Sequence, residues 1–236
     1  MKAEIIAVGT EILLGDILNT NAQYLALQLA ELGIDVYYQS VVGDNPQRLK
    51  DTIFHAFSRA SLIITTGGLG PTEDDLTKET GAEYFDEELV LDERALKRIE
   101  NYFNKVGRKM TENNRKQAFV PKNSTVLYND NGTAPGIIIE KNNKILVMLP
   151  GPPKETVPMF EQQVKPYLAK KQEYTFVSRV LRIAGVGESS METIVKDLID
   201  SQTNPSIAPY AKDAESILRI TAKAKDKQQA EQMIEP

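Results

Sequence analysis

Leu62-Ile63-Ile64-Thr65-Thr66-Gly67-Gly68-Leu69-Gly70-Pro71-Thr72-Glu73-Asp74-Asp75 decides how the chain is read. Leu62 to Ile64 is a short all-apolar run, which suits a strand covered on both faces, as in a parallel sheet. Thr65 to Pro71 is a glycine loop. Thr72 with Glu73, Asp74 and Asp75 is expected to open a helix, Thr72 standing in a capping-box relation to Asp75 and the acids favoured by the helix dipole. Upstream, Ile5 to Val8 is a strand, and Ala22, Leu25, Leu29 and Leu32 share one helical face that Gly33 ends as a C-cap. Ile34 to Val42 is the next strand, and Asn45-Pro46 reads as N-cap and first turn of a helix carrying Leu49, Ile53 and Phe57. The order β-α-β-α-β around the quoted stretch predicts an α/β fold with a parallel sheet.

Downstream, the pattern predicts a helix from Asp92 to Val106 and a turn at Asn131-Gly132-Thr133-Ala134-Pro135-Gly136. Ile137 to Glu140 and Lys144 to Leu149 flank Asn142-Asn143, a pairing that suits a tight hairpin. Pro150-Gly151-Pro152-Pro153 launches a helix to about Lys170. The composition shifts at Lys170-Lys171-Gln172, so the expected domains are 1–170 and 171–236. The second is a small α+β unit with strands at 175–184, 206–210 and 216–224 and a helix at 189–200. The helical pattern from Gln228 to Ile234 is still under way at the last residues, so that domain is expected to be cut short at its C-terminus.

The 28 basic and 33 acidic side chains give a net charge of −5, which excludes a generic basic nucleic-acid binder. Hydrophobic residues at 41% and charged residues at 26% exclude disorder as a class. There is no cysteine and a single histidine, His55, so thiolate chemistry, disulfides and histidine clusters are excluded, and a Ser/His/Asp triad is implausible. His55 lies beside Phe54 and Phe57 on an amphipathic helix and is expected at the surface or its boundary. Any metal must sit on oxygen ligands. No signal-peptide pattern or long apolar run occurs, so a cytoplasmic location is expected and a membrane is not.

In an open α/β sheet the loop after residues 62–64 lies at the carboxyl ends of the strands, where ligands bind, and its glycines let backbone N–H groups approach a phosphate. Three consecutive carboxylates beside such a cradle would repel the phosphate by about 1 to 4 kcal/mol per close charge pair. A divalent cation (Mg²⁺, Mn²⁺ or Co²⁺) on Asp74 or Asp75 resolves the conflict. Gly9-Thr10-Glu11 follows the first strand, with Gly15, Asp16, Asn19 and Asn21 strung toward the first helix. Asn19 or Thr20 caps that helix, while Glu11 can still face the same crest. Asp44 reads as a turn residue. The turns at 132–136 and 149–154 offer fixed backbone donors, with Lys154 available to neutralise phosphate charge.

Together, GTEILLGDILNTN at residues 9–21, TTGGLGPTEDDLT at 65–77, GTAPG at 132–136 and LPGPPKE at 149–155 resemble the CinA (competence/damage-inducible) family. The resemblance covers about the first 170 residues, the part of CinA that is similar to the MoaB/MogA molybdopterin-binding domain. It implies a three-layer α/β/α fold with a mainly parallel sheet and a ligand site at the glycine loop. Residues 171–236, with GVGESS at 185–190 and YAKDAESILRITAK from Tyr210, look like the KH-like domain of the same family. Gly185-Val186-Gly187-Glu188 lacks the basic character of an RNA clamp, so nucleic acid is not an expected partner. Many CinA proteins continue into a nicotinamide-mononucleotide deamidase domain, whose span nothing here matches.

The resemblance implies metal-dependent ADP-ribose pyrophosphatase activity, giving AMP and ribose 5-phosphate. Asp74 and Asp75 would hold the metal, Glu11 would orient or deprotonate water, and Lys154 would stabilise the leaving phosphate. Thr10, Asn19, Asn21, Gly67, Gly68, Gly70, Thr72, Thr133, Gly136 and Gly151 would contact the nucleotide. The alternatives are a molybdopterin-binding or adenylyltransferase-like protein and a non-catalytic nucleotide-binding module. A homo-oligomer is expected from the outer helices of such folds.

Overall fold

The computed structural model describes residues 1–212 and 215–235. The chain divides into two compact units, one of Met1–Ala30 and Ile34–Tyr167, the other of Glu31–Gly33 and Leu168–Pro236. The first begins β1 (Lys2–Val8), α1 (Thr10–Leu13), α2 (Thr20–Glu31), β2 (Asp35–Val42), α3 (Pro46–Ala56), β3 (Leu62–Thr66) and α4 (Thr77–Phe85). It continues through β4 (Leu89–Leu91), α5 (Glu93–Lys105), a 3₁₀ segment (Glu112–Ala118), β5 (Phe119–Pro121) and β6 (Thr125–Leu127). A hairpin of β7 (Gly136–Lys141) and β8 (Lys144–Leu149) leads to α6 (Pro153–Met159), a π-helical segment (Phe160–Val164) and α7 (Lys165–Ala169).

The main sheet has the order β2-β1-β3-β8-β7-β6. β2, β1, β3 and β8 run parallel, and β7 and β6 are antiparallel additions at one side. The pleat sorts the side chains. Ile6, Val8, Ile63, Leu146 and Met148 face one way, into a core completed by Leu49, Ile53 and Phe57 from the α3 region and Phe85 from α4. Ile5, Ala7, Ile64 and Val147, at the alternate positions, are also buried. They face the opposite layer, where Tyr24 of α2 meets Phe160 edge to ring at 5.9 Å between centroids. This is the three-layer α/β arrangement with a mostly parallel centre. β2 is an outer strand, and its neighbour β1 carries the buried Glu4, which accepts Arg59 Nε and Nη2 at 2.8 Å and Ser40 Oγ at 2.7 Å. Arg59 lies over the Tyr38 ring at 3.6 Å, and Lys2 over Tyr37 at 5.7 Å.

Local signals hold where they are self-contained. Asn45 caps α3 by accepting Arg48 N at 2.9 Å, with Pro46 in the first turn. Gly33 adopts φ +66°, and Ile34 N reaches back to Leu29 O at 2.9 Å to close α2. Asn142 and Asn143, at φ 55° and 59°, make the two-residue turn between β7 and β8. His55 is exposed. The helix expected to open at Thr72 does not. α4 begins at Thr77, whose hydroxyl donates to Gly67 O at 2.9 Å and whose amide donates to Gly68 O at 3.1 Å. That pair of bonds draws the helix start onto the glycine loop and leaves Thr72 to Asp75 as a turn.

The second unit comprises β9 (Thr175–Ala184), α8 (Glu188–Ser201), β10 (Ser206–Lys212), β11 (Glu215–Ala224) and α9 (Lys227–Ile234). Its antiparallel sheet runs β10-β11-β9, and α9 is capped by Asp226, which accepts Gln229 N at 2.9 Å. Asp213 and Ala214, within the stretch singled out from Tyr210, and Pro236 lie outside the described residues. Among the described residues, no helix is long and apolar enough to cross a membrane.

Candidate functional site

The sheet reverses its winding between β1 and β3, and the carboxyl ends of these strands and of β8 meet at one crest, the place where open α/β sheets bind ligands. Gly9 N donates to Val42 O and Gly67 N to Leu149 O, each at 3.0 Å, locking the strand-end loops together. A Cβ on Gly67, at φ +102°, would stand 2.1 Å from Val8 O, and one on Gly68, at φ +66°, would stand 2.1 Å from the Thr77 hydroxyl. Only glycine fits there. The crest encloses a cleft of about 490 Å³ whose walls include Gly9, Gly67, Gly68, Gly70 and Gly151.

Its titratable lining is entirely acidic among the described residues: Glu11, Asp44, Asp74, Asp75 and Glu155, without lysine or arginine. Asp75 shapes the turn, because its Oδ2 accepts Thr72 N at 3.0 Å and the Thr72 hydroxyl at 2.5 Å. Half of the capping relation expected of this pair is present, the Asp75 carboxylate accepting the Thr72 amide, while the Thr72 hydroxyl donates to that carboxylate and the Asp75 amide goes to Thr72 O at 3.3 Å. Asp74 is exposed, and the neighbouring Thr72 side chain, then the Asp74 backbone amide, hold its carboxyl below the usual aspartate range, with Lys116 adding to the effect. Glu155 behaves oppositely: burial raises its pKa, against the lowering effect of Asn129 Nδ2, which donates to it at 2.7 Å.

Of the residues singled out in the sequence, the cleft gathers Glu11, Gly67, Gly68, Gly70, Thr72, Asp74, Asp75, Thr133 and Gly151. Others stand beside it. Thr10 donates through N and Oγ1 to Asp44 Oδ2 at 2.9 and 2.8 Å, so Asp44 orients the first loop as well as facing the cleft. Asn19 accepts Ala22 N at 3.1 Å as the helix cap. Asn21 Nδ2 donates to Gly151 O at 2.7 Å and ties α2 to the turn after β8. Gly136 is buried in β7, where a Cβ would meet Met159 Sδ at 2.5 Å. Lys154 is exposed and does not line the cleft; the next residue, Glu155, does. Pro153 starts the helix one residue earlier than Lys154, and the helical turn then directs residue 155 inward, a phase the motif LPGPPKE alone leaves open. Gln117, 3% exposed, also lines the cleft and donates from Nε2 to Leu69 O at 3.3 Å. No motif in the sequence marks it.

The family model described as "Probable molybdopterin binding domain" matches residues 4–170, and the "Damage-inducible protein CinA KH domain" matches 178–236. A protein of Clostridium beijerinckii named as competence-damage inducible is 61% identical over 236 residues, 100% of this chain and 58% of its own length. The chain belongs to the CinA family. A CinA-like protein of Dictyoglomus turgidum is 61% identical over 235 residues, 57% of its length. The chain therefore spans little more than half the length of these CinA relatives. The crystal structure of CinA from Thermoplasma acidophilum aligns with 34% identity and a TM-score of 0.65, covering 70% of this chain and 98% of that one. The molybdopterin-binding match spans the α/β fold of the first unit with its mostly parallel sheet, and the KH match falls within the second unit.

Proposed function

We propose that the cleft hydrolyses the pyrophosphate bond of a nucleoside-diphosphate sugar such as ADP-ribose, with a divalent cation held at the acid turn. One observation carries this reading: a glycine-walled crest suited to phosphate is lined by carboxylates and by no basic side chain among the described residues. A phosphate there needs a cation between it and the acids. The donors fit a hard ion, since all are oxygens, and Asp74, exposed and ionised, is the first candidate to hold it, with Asp75 beside it. Among the described residues no three carboxylate or histidine groups form a ready-made metal site. A Mg²⁺-type ion would therefore need water and substrate phosphates to complete its ligands beside one or two carboxylates. When bound, the cation would offset the charge on the phosphoryl oxygens.

The protein's own groups would do the rest. Backbone N–H groups of Gly68 to Gly70 would orient the phosphates, Gly67 N being bonded to Leu149 O, and Glu11 would take the proton of the attacking water. The water oxygen bonds to one phosphorus as the bridging P–O bond breaks, releasing AMP and ribose 5-phosphate. Lys154, outside the cleft, has no assigned step. AMP release is expected only with Mg²⁺, Mn²⁺ or Co²⁺, and Asp74→Asn is expected to lower it by about a hundredfold. Absence of metal-dependent AMP release in the native chain would remove the proposal. The family model's description supports a second reading, molybdopterin binding in the same cleft. Titration with molybdopterin and ADP-ribose in parallel separates the two.

A further inference from the structure

The turn that carries Asp74 and Asp75 is fastened from behind by a segment remote in sequence. Lys116 Nζ donates to Thr72 O at 2.8 Å and to Asp75 O at 2.6 Å, so one ammonium gathers the carbonyls at both ends of the turn. The carbonyl of Lys116 accepts Lys78 Nζ at 2.6 Å, and Lys78 is 6% exposed. The next residue, Gln117, holds Leu69 O. Consecutive residues of the 3₁₀ segment thus grip the glycine loop and the acid turn together, while α4 supports the segment from below.

Lys116 itself does not line the cleft. Two carbonyl oxygens of the acid turn are committed to it. Its side chain is partly exposed, at 27%, so the hydrophobic core does not account for its placement.

We propose that Lys116 is a positioning residue of the site: by drawing the Thr72 and Asp75 carbonyls to one point, it sets the direction of the Asp74 carboxylate toward the ligand. This rests on reading the cleft as the cation and phosphate site. The test compares the native chain with Lys116→Met and Lys116→Arg by amide hydrogen exchange and by Mn²⁺ titration followed by electron paramagnetic resonance, with ADP-ribose present. In Lys116→Met, exchange across residues 69–77 is expected to rise about tenfold while β1, β3 and β8 keep their protection. Mn²⁺ affinity is expected to fall about tenfold. Lys116→Arg is expected to recover both in large part. Unchanged exchange at 69–77 overturns the proposal, and so does faster exchange with Mn²⁺ affinity equal to the native chain. If the native chain binds no Mn²⁺, the cation reading fails and the positioning role toward the ligand falls with it. Mn²⁺ binding without AMP release removes only the hydrolytic reading.

Discussion

Two glycine-bearing turns, Gly67-Gly68-Leu69-Gly70 in the first unit and Gly185-Val186-Gly187 in the second, look alike in sequence and differ in what surrounds them. At Gly67 and Gly68 an added Cβ strikes a backbone oxygen or a hydroxyl at 2.1 Å; at Gly185 and Gly187 it meets nothing within 4 Å. The first pair is glycine because neighbouring elements press on the backbone. Gly185 serves its own φ of +78°. Gly187, at φ −67° and ψ 152°, precedes α8 in a conformation open to any residue. Crowding around the peptide, more than glycine content, separates these two turns.

Alanine substitution breaks or sustains that contrast. Gly67→Ala is expected to destabilise the chain by about 2 to 4 kcal/mol, since it combines an unfavourable φ with a backbone collision. Gly187→Ala is expected to lie within about 0.5 kcal/mol of the native chain. Urea melts of both variants measure the difference, and equal losses would dissolve the distinction.

The support beneath the first crest gives a smaller, pH-dependent effect. Burial holds the Lys78 ammonium pKa down to about 8, against the raising influence of Glu79 and Asp75. Above that pH the folded chain releases a proton that the unfolded chain retains up to the ordinary lysine value. Stability should therefore rise with pH from about 8 toward 10.5, by at most about 1.4 kcal/mol per pH unit from this group. Lys78→Met is expected to remove that rise, as read from urea midpoints across the window.

Glu155 is predicted to give the smallest change. With its pKa raised by burial, the folded state holds the proton longer than the unfolded one. Its contribution is therefore full below the ordinary glutamate range and fades as pH climbs through the raised value. Glu155→Gln should flatten that slope in the same urea series.

The elements legible in sequence are those whose causes are local. Asn45-Pro46, Gly33, Asn142-Asn143 and the apolar run at 62–64 each announce their role within a few residues. The acid turn misled because Thr72 to Asp75 satisfies a helix-start pattern, while the force that decides its shape comes from Thr77 folding back onto Gly67 and from Lys116, 41 residues beyond Asp75. Gln117 is silent for the same reason: a 3₁₀ segment carries no long periodicity, and the Gln117 side chain bonds to Leu69 O, far away in sequence. β4, β5 and β6, three residues each, are too short to show alternation. Glu155 and Lys154 are neighbours whose fates are separated only by the rotation of α6.

The exposed tyrosines of β2 have a further consequence. Because Arg59 and Lys2 lie across Tyr38 and Tyr37 on the rim of the sheet, a foreign β-segment trying to lengthen it would have to strip water from two cations before making its first ladder bond. The rim is thereby guarded against fibril-like growth by charge.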